Sequence, residues 1–231
     1  MFADNKRLWN FYARCYDAVN ESPPYRQLLS TVVNKLDLKP GQKILDAGCG
    51  TGNLEVLVPN LGGQHLEIEA VDNNQEMLAR ARKKVVTAKT NFQWADLNQQ
   101  LPFPDDAFDR VVAIHVLYAL RGPGAALREF FRVLKPGGLL VLANPHDRSR
   151  PSAIMKANLE GLNIFEKISL LFTKLPLIVV NLMICRLAQS GTYHFLSRTE
   201  IENLLRRAGF TDISTEPAYA DQDLLVSAHR P

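Results

Sequence analysis

The chain has 231 residues, long for one domain and short for two, so a single domain carrying an insertion is the default. Apolar residues make up 46% and charged residues 22%, which excludes a disordered chain and allows a sizeable core. The net charge of +3 is spread over short clusters such as Arg80–Lys84 and Arg148–Arg150, which read as solvated helix faces and not as the dense basic stripe of a nucleic-acid binder.

Cys15, Cys49 and Cys185 are an odd number, widely spaced, so neither a disulfide framework nor a zinc or other metal site is expected, and a reducing cytoplasm fits. The charged start of the chain has no apolar run behind it, so no secretory leader is expected.

Residues 1–40 read as an N-terminal helical lid in which Trp9, Tyr12, Tyr16 and Val19 recur at helical spacing. Ser22–Tyr25 reads as a turn and helix start, with proline at the first helical positions. Residues 41–145 then alternate strand and helix signals. Strands are expected at Lys43–Ala47, Leu66–Val71, Asn91–Ala95, Arg110–Val116 and Leu139–Ala143. Helices are expected at Leu54–Leu61, Gln75–Lys89 and Gly124–Leu134. Residues 146–197 form an insertion. After it come a helix over Arg198–Ala208, capped by Ser197 or Thr199 and stopped by Gly209, and strands at Thr211–Glu216 and Leu224–Ala228. The pattern predicts an α/β fold: a doubly wound, Rossmann-like, seven-stranded sheet, mostly parallel, with an antiparallel last strand and a helical cap insertion. Ligands in such sheets bind beyond the carboxyl ends of the strands, where strand order reverses.

The end of the first strand reads Asp46-Ala47-Gly48-Cys49-Gly50-Thr51-Gly52-Asn53. Glycines allow positive φ and close backbone approach, and the helix that follows directs free N–H groups at a ligand. Counting from Gly48, Asn53 stands where the dinucleotide fingerprint has its third glycine, so a nicotinamide dehydrogenase is excluded by spacing. Asp46 would repel a pyrophosphate and attract an ammonium group. Asp72, ending the second strand beside Asn73, has two acceptor oxygens for ribose hydroxyls. Asp96 ends the third strand, where a carboxylate can accept from an adenine amino group between Leu97 and Met77; Met77 fits equally an ordinary core position.

Taken in order, these segments resemble class I S-adenosylmethionine-dependent methyltransferases, of the branch with ubiquinone/menaquinone-biosynthesis and natural-product enzymes. The resemblance runs from about Lys43 to Ala228 and includes Leu101–Asp109 before the fourth strand and Arg128–Gly138 before the fifth. It implies S-adenosylmethionine as cofactor, with Gly48, Gly50, Thr51 and Gly52 lining it. It places Asp46 near the amino group, Asp72 and Asn73 at the ribose, Asp96, Leu97 and Met77 at the adenine, and His115 near the sulfonium. Tyr16-Asp17 matches a pair that closes over the cofactor in this branch, and aromatic faces suit a sulfonium. Ser22–Tyr25 is similar to the base-holding motif of nucleic-acid amino-methyltransferases, but no strand precedes it, so it is set aside.

The insertion is apolar. Leu159, Leu162, Phe165, Ile168, Phe172 and Leu175 follow one helical face, and Leu177–Ala188 is apolar nearly all round. A membrane span is not expected, because Lys174, Pro176, Asn181 and Arg186 interrupt it and each central charge costs about 2.5–3.5 kcal/mol. Three readings stay open: a cap over a small lipophilic acceptor, a flap resting peripherally on a membrane to receive a lipid or quinone, and a homodimer interface. Methyl transfer to RNA or protein is the alternative from another class; no nucleic-acid partner is expected. A general base is needed only for a protonated acceptor; His115, Tyr16 and His146 are the catalytic candidates, with Tyr118, Asp147 and His194 behind them.

Overall fold

The computed structural model describes residues 6–58, 65–85, 89–160 and 193–231, with positions 165, 175, 179, 182 and 183 in the segment between the last two stretches. The elements are α1 (Lys6–Cys15), α2 (Pro23–Lys35), β1 (Lys43–Ala47), α3 (Asn53–Leu57), β2 (Glu67–Asp72), α4 (Gln75–Lys84), β3 (Thr90–Trp94), β4 (Phe108–Ile114), α5 (Pro123–Val133), β5 (Leu134–Pro145), α6 (Pro151–Leu159), α7 (Arg198–Ala208), β6 (Thr211–Ala218) and β7 (Asp223–His229). The seven strands form one sheet in the order β3-β2-β1-β4-β5-β7-β6. β1 to β5 run parallel; β7 pairs antiparallel with β5, and β6 antiparallel with β7. Strand order therefore reverses between β1 and β4, which opens a crevice at their carboxyl ends.

Alternate residues of the central strands feed two separate cores, as a sheet covered on both faces requires. Ile44, Ile68, Ala70, Val112 and Val141 pack with Leu28 and Val32 of α2 and Leu78 and Ala81 of α4. Leu45, Val71, Val111, Leu140 and Val226 pack on the other side with Leu127 and Phe130 of α5 and Ile201 and Leu205 of α7. Local chemistry sets the helix ends. Asn74 accepts from the N–H groups of Glu76 and Met77 to start α4, and Ser197 with Glu200 forms a reciprocal capping box on α7.

Several boundaries differ from the sequence expectation. The N-terminal segment is not one continuous α-helix, because α1 ends at Cys15 and Tyr16–Glu21 tightens into a 3-10 turn. α4 stops at Lys84, with Val85 already extended. β4 ends at Ile114, because His115 takes a positive φ of 56° and turns the chain out of the sheet. β5 begins at Leu134, its register to β4 jumping from Phe108↔Leu134 to Arg110↔Leu139, so Lys-Pro-Gly-Gly lies within an irregular strand start. The expected extensions of the helices over residues 59–61 and 86–88, Cys185, and nearly all of the insertion beyond α6 lie outside the described residues. Among the described residues, no helix is long and apolar enough to cross a membrane.

Candidate active site

The glycine loop sits at the crevice and is held by its neighbours. Gly48 and Cys49 donate to the Val71 carbonyl at 2.8 and 3.0 Å, and Asp72 Oδ2 accepts from the Gly50 N–H at 3.0 Å. Gly48, Gly50 and Gly52 all have positive φ. At Gly48 (φ 91°) a Cβ would lie 2.4 Å from Val116 Cγ2, so β4's exit presses directly on the loop and only glycine fits.

Three carboxyl groups converge here. Asp46 and Glu55 are buried, and both Glu55 carboxyl oxygens, sealed from solvent, have no hydrogen-bond partner among the described residues. Burial, then the negative charge of Glu55, push the Asp46 carboxyl well above the ordinary range; burial likewise raises Glu55. With both ionised, two negative charges would lie together with no donor among those residues to the Glu55 oxygens. An ammonium group entering beside them would supply both charge and donors. Asp72 is raised to about 6 by burial, opposed by donors from Asn74, Gly50 and Asn73. Its Oδ1 accepts from Asn74 N–H at 2.8 Å, so each oxygen already orders backbone and keeps one acceptor site for a ribose hydroxyl. These donor and acceptor sets fit S-adenosylmethionine, which carries an ammonium group at its amino-acid end and a diol in the middle.

Behind the loop lies a polar clamp. Lys84 Nζ donates to Asp17 Oδ1 (2.6 Å), Thr51 Oγ1 (3.0 Å) and Asn53 Oδ1 (2.5 Å), and Thr51 Oγ1 donates to Asp17 at 2.6 Å. Thr51, expected to line the cofactor, thus commits its hydroxyl to docking the N-terminal segment. Asn20 and Tyr25 also reach Asn53, and the Tyr25 hydroxyl meets that of Tyr16 at 3.3 Å. The Tyr16 ring lies over Gly50, 3.6 Å from where a Cβ would stand. Burial pushes both hydroxyls up, so they stay neutral donors.

Of the other sequence candidates, Met77 is buried in the core at the first turn of α4, as one of its two readings held. Leu97 is buried, while Asp96 binds Asn98 N–H and side chain in a local turn. Asn73 is exposed, its carbonyl accepting from Trp94 Nε1. The structure does not leave His146 free for proton transfer: Nδ1 accepts from Arg148 N–H and Nε2 donates to the Asp221 carbonyl, so it ties two loops together. His115 stands next to Val116 with Nε2 2.6 Å from Asp223 Oδ2. Sequence reading missed Glu55, Lys84, Tyr25 and Asp223. An acid in the first turn after the glycine loop was a visible signal for Glu55; the other three become neighbours only through folding. Among the described residues, no group of three or more side chains could hold a metal ion.

Comparison with known proteins agrees with this geometry. A family profile described as a methyltransferase domain matches residues 45–142. The chain is 31% identical over 137 residues to methyltransferase GfsG of Streptomyces halstedii, and 38% identical over 115 residues to an O-methyltransferase of Pyrenophora dematioidea. These matches cover 58% and 49% of this chain and only 49% and 43% of those proteins. It is 25% identical to demethylmenaquinone methyltransferase of Staphylococcus aureus over 91% of this chain and 89% of that one. The fold matches the [4+2]-cyclase SpnF (TM-score 0.72, 18% identity, 100% and 97% of the two chains). It also matches an S-adenosylmethionine-dependent methyltransferase from Aquifex aeolicus (TM-score 0.63, 20% identity, 92% and 96%). The fold, the glycine loop and its acids agree with these matches, and the chain is similar to class I S-adenosylmethionine-dependent methyltransferases.

Proposed function

We propose that the protein transfers the methyl group of S-adenosylmethionine to a small, lipophilic acceptor by in-line displacement. The observation that carries this reading is the glycine loop at the β1–β4 crevice, set between the Asp46–Glu55 acid pair and Asp72 and covered by Tyr16. In it, Asp46 and Glu55 receive the amino group, Gly48, Gly50 and Gly52 line the methionine part, and Asp72 with Asn73 takes the ribose. Asp96, Leu97 and the neighbourhood of Met77 take the adenine, and Tyr16 and His115 face the sulfonium. The cofactor supplies the electrophilic methyl carbon; the chain aligns the acceptor and keeps water out.

Support for a lipophilic acceptor comes from the insertion, whose described positions Phe165, Leu175, Val179, Leu182 and Met183 are exposed large apolar side chains. A relative named for demethylmenaquinone, a lipophilic compound, agrees with it. Incubation with radiolabelled S-adenosylmethionine and a metabolite-and-lipid extract tests the reading. Label in the organic phase supports it; label confined to the aqueous, RNA or protein fraction overturns it.

A further inference from the structure

Asp223 opens β7, and antiparallel pairing sets it opposite Pro145 at the carboxyl end of β5. It is 1% exposed, and its Oδ2 lies 2.6 Å from His115 Nε2. A buried carboxylate in that position makes Nε2 the N–H donor and leaves Nδ1 with its lone pair. Among the described residues, nothing donates a hydrogen bond to Nδ1.

The backbone holds the ring in this place. His115 has φ 56°, an uncommon conformation for a side chain of its size, and its N–H is fixed on the Ala143 carbonyl at 2.7 Å. Val116, the next residue, fills the space against Gly48. The groups facing the ring are Asp223 from β7, Tyr25 from α2 (centroids 6.3 Å apart) and Tyr219 from the turn before β7 (5.5 Å). Burial raises both phenols, so they stay uncharged where an imidazole ordinarily titrates. The imidazole therefore stands beside the glycine loop, one ring from Tyr16 and Gly50.

We propose that His115 is the general base of the reaction, that Asp223 is its positioning residue, and that the acceptor presents a phenolic hydroxyl. This rests on the methyl-transfer reading above. His115 Nδ1 takes the hydroxyl proton while the oxygen's electron pair forms the new O–C bond. The C–S bond breaks with its pair on sulfur, leaving a neutral thioether, and the imidazolium then releases its proton to solvent. A base matters here because a weakly acidic phenol is mostly protonated near neutral pH and a poor nucleophile in that form.

The test uses para-substituted phenols from para-methoxyphenol to para-nitrophenol, with benzylamine and benzoate as other acceptor classes, and the variants His115→Gln and Asp223→Asn. The wild type should methylate the phenols. Both variants should lose about a hundredfold or more on para-methoxyphenol and far less on para-nitrophenol, much of which is already anionic near neutral pH, while S-adenosylhomocysteine binding remains measurable in calorimetry. Equal losses along the series, turnover only of benzylamine or benzoate, or no phenol turnover by a protein that binds S-adenosylhomocysteine would each overturn the proposal. A second measurement needs no cofactor. The 15N imidazole spectrum of the wild type should show His115 as the neutral Nε2–H tautomer, lost in Asp223→Asn; an Nδ1–H tautomer, or an unchanged variant, refutes the dyad. Failure to bind S-adenosylhomocysteine would defeat the methyl-transfer reading and leave that spectrum to judge His115 and Asp223.

Discussion

Lys84 and Asp17, 67 residues apart in sequence, meet at 2.6 Å beneath the glycine loop. Lys84 leaves the last turn of α4, and Asp17 sits on the 3-10 turn that follows α1. Between them Thr51 and Asn53 are buried, so one ammonium joins the loop, its helix and the N-terminal segment. The segment that covers the loop is thus latched by polar groups and not by apolar contact alone.

Removing the latch should therefore cost binding more than folding. Both side chains are partly exposed, which keeps the ion pair's own contribution to stability small. Lys84→Met leaves Thr51, Asn53 and Asp17 without their shared donor. We expect it to weaken S-adenosylhomocysteine about tenfold, the scale of one charge-assisted hydrogen bond, and to speed proteolysis of the N-terminal segment. Calorimetry and timed digestion check this; unchanged affinity would mean the latch has no part in binding.

With Asp72 at the ribose, as proposed, cofactor binding should be sensitive to pH. Its folded carboxyl is raised to about 6, and in the proposed site the ionised form is the one that would accept the ribose hydroxyls. Affinity should fall as pH drops through it, by up to about tenfold per unit from this group. Asp72→Ala should abolish binding. A wild-type affinity that stays level down to about pH 5, a full unit below that point, would show that Asp72 is not at the ribose.

The Asp46–Glu55 pair predicts a trade between stability and binding. Their folded carboxyls hold protons more tightly than unfolded ones, so the empty fold loses stability as pH rises from the ordinary carboxyl range. Glu55→Gln removes the conflict. We expect a higher Tm at neutral pH, about 2–4 °C for each kcal/mol relieved, together with weaker cofactor binding. A variant that is both less stable and normal in affinity would contradict the assignment.

Gly48→Ala meets Val116 at 2.4 Å and also takes an unfavourable φ of 91°. The combination should cost about 1–3 kcal/mol and eliminate cofactor binding, since the β4 exit must shift. Adding Val116→Ala should recover part of the Tm, because it removes the collision but not the backbone cost. No recovery in the double variant would place the whole cost in the backbone.

The alternating apolar strands and intervening helices were legible in the chain, because a sheet buried on both faces leaves continuous apolar runs and helices leave a 3.6-residue repeat. The glycine loop, Asp46 and Asp72 were legible for the same local reason: a tight turn at a strand end needs glycine, and acids at strand ends face the crevice. What lay beyond reading was every pairing between distant segments. Asp223 reaches His115 only because β7 inserts between β5 and β6 and runs antiparallel, which brings its first residue to the carboxyl end of β5. Lys84 reaches Thr51 and Asp17 only because α4 packs on the face that also carries the N-terminal segment. His146 looked as available as His115, and the two were separated by what folding placed against their rings, backbone groups on both nitrogens of His146 and the Asp223 carboxyl on Nε2 of His115. Sequence determined the periodicities and the turn chemistry, which act over a few residues. Long-range packing decided the partners, because a side chain's hydrogen bonds depend on strand order and register that no local pattern encodes.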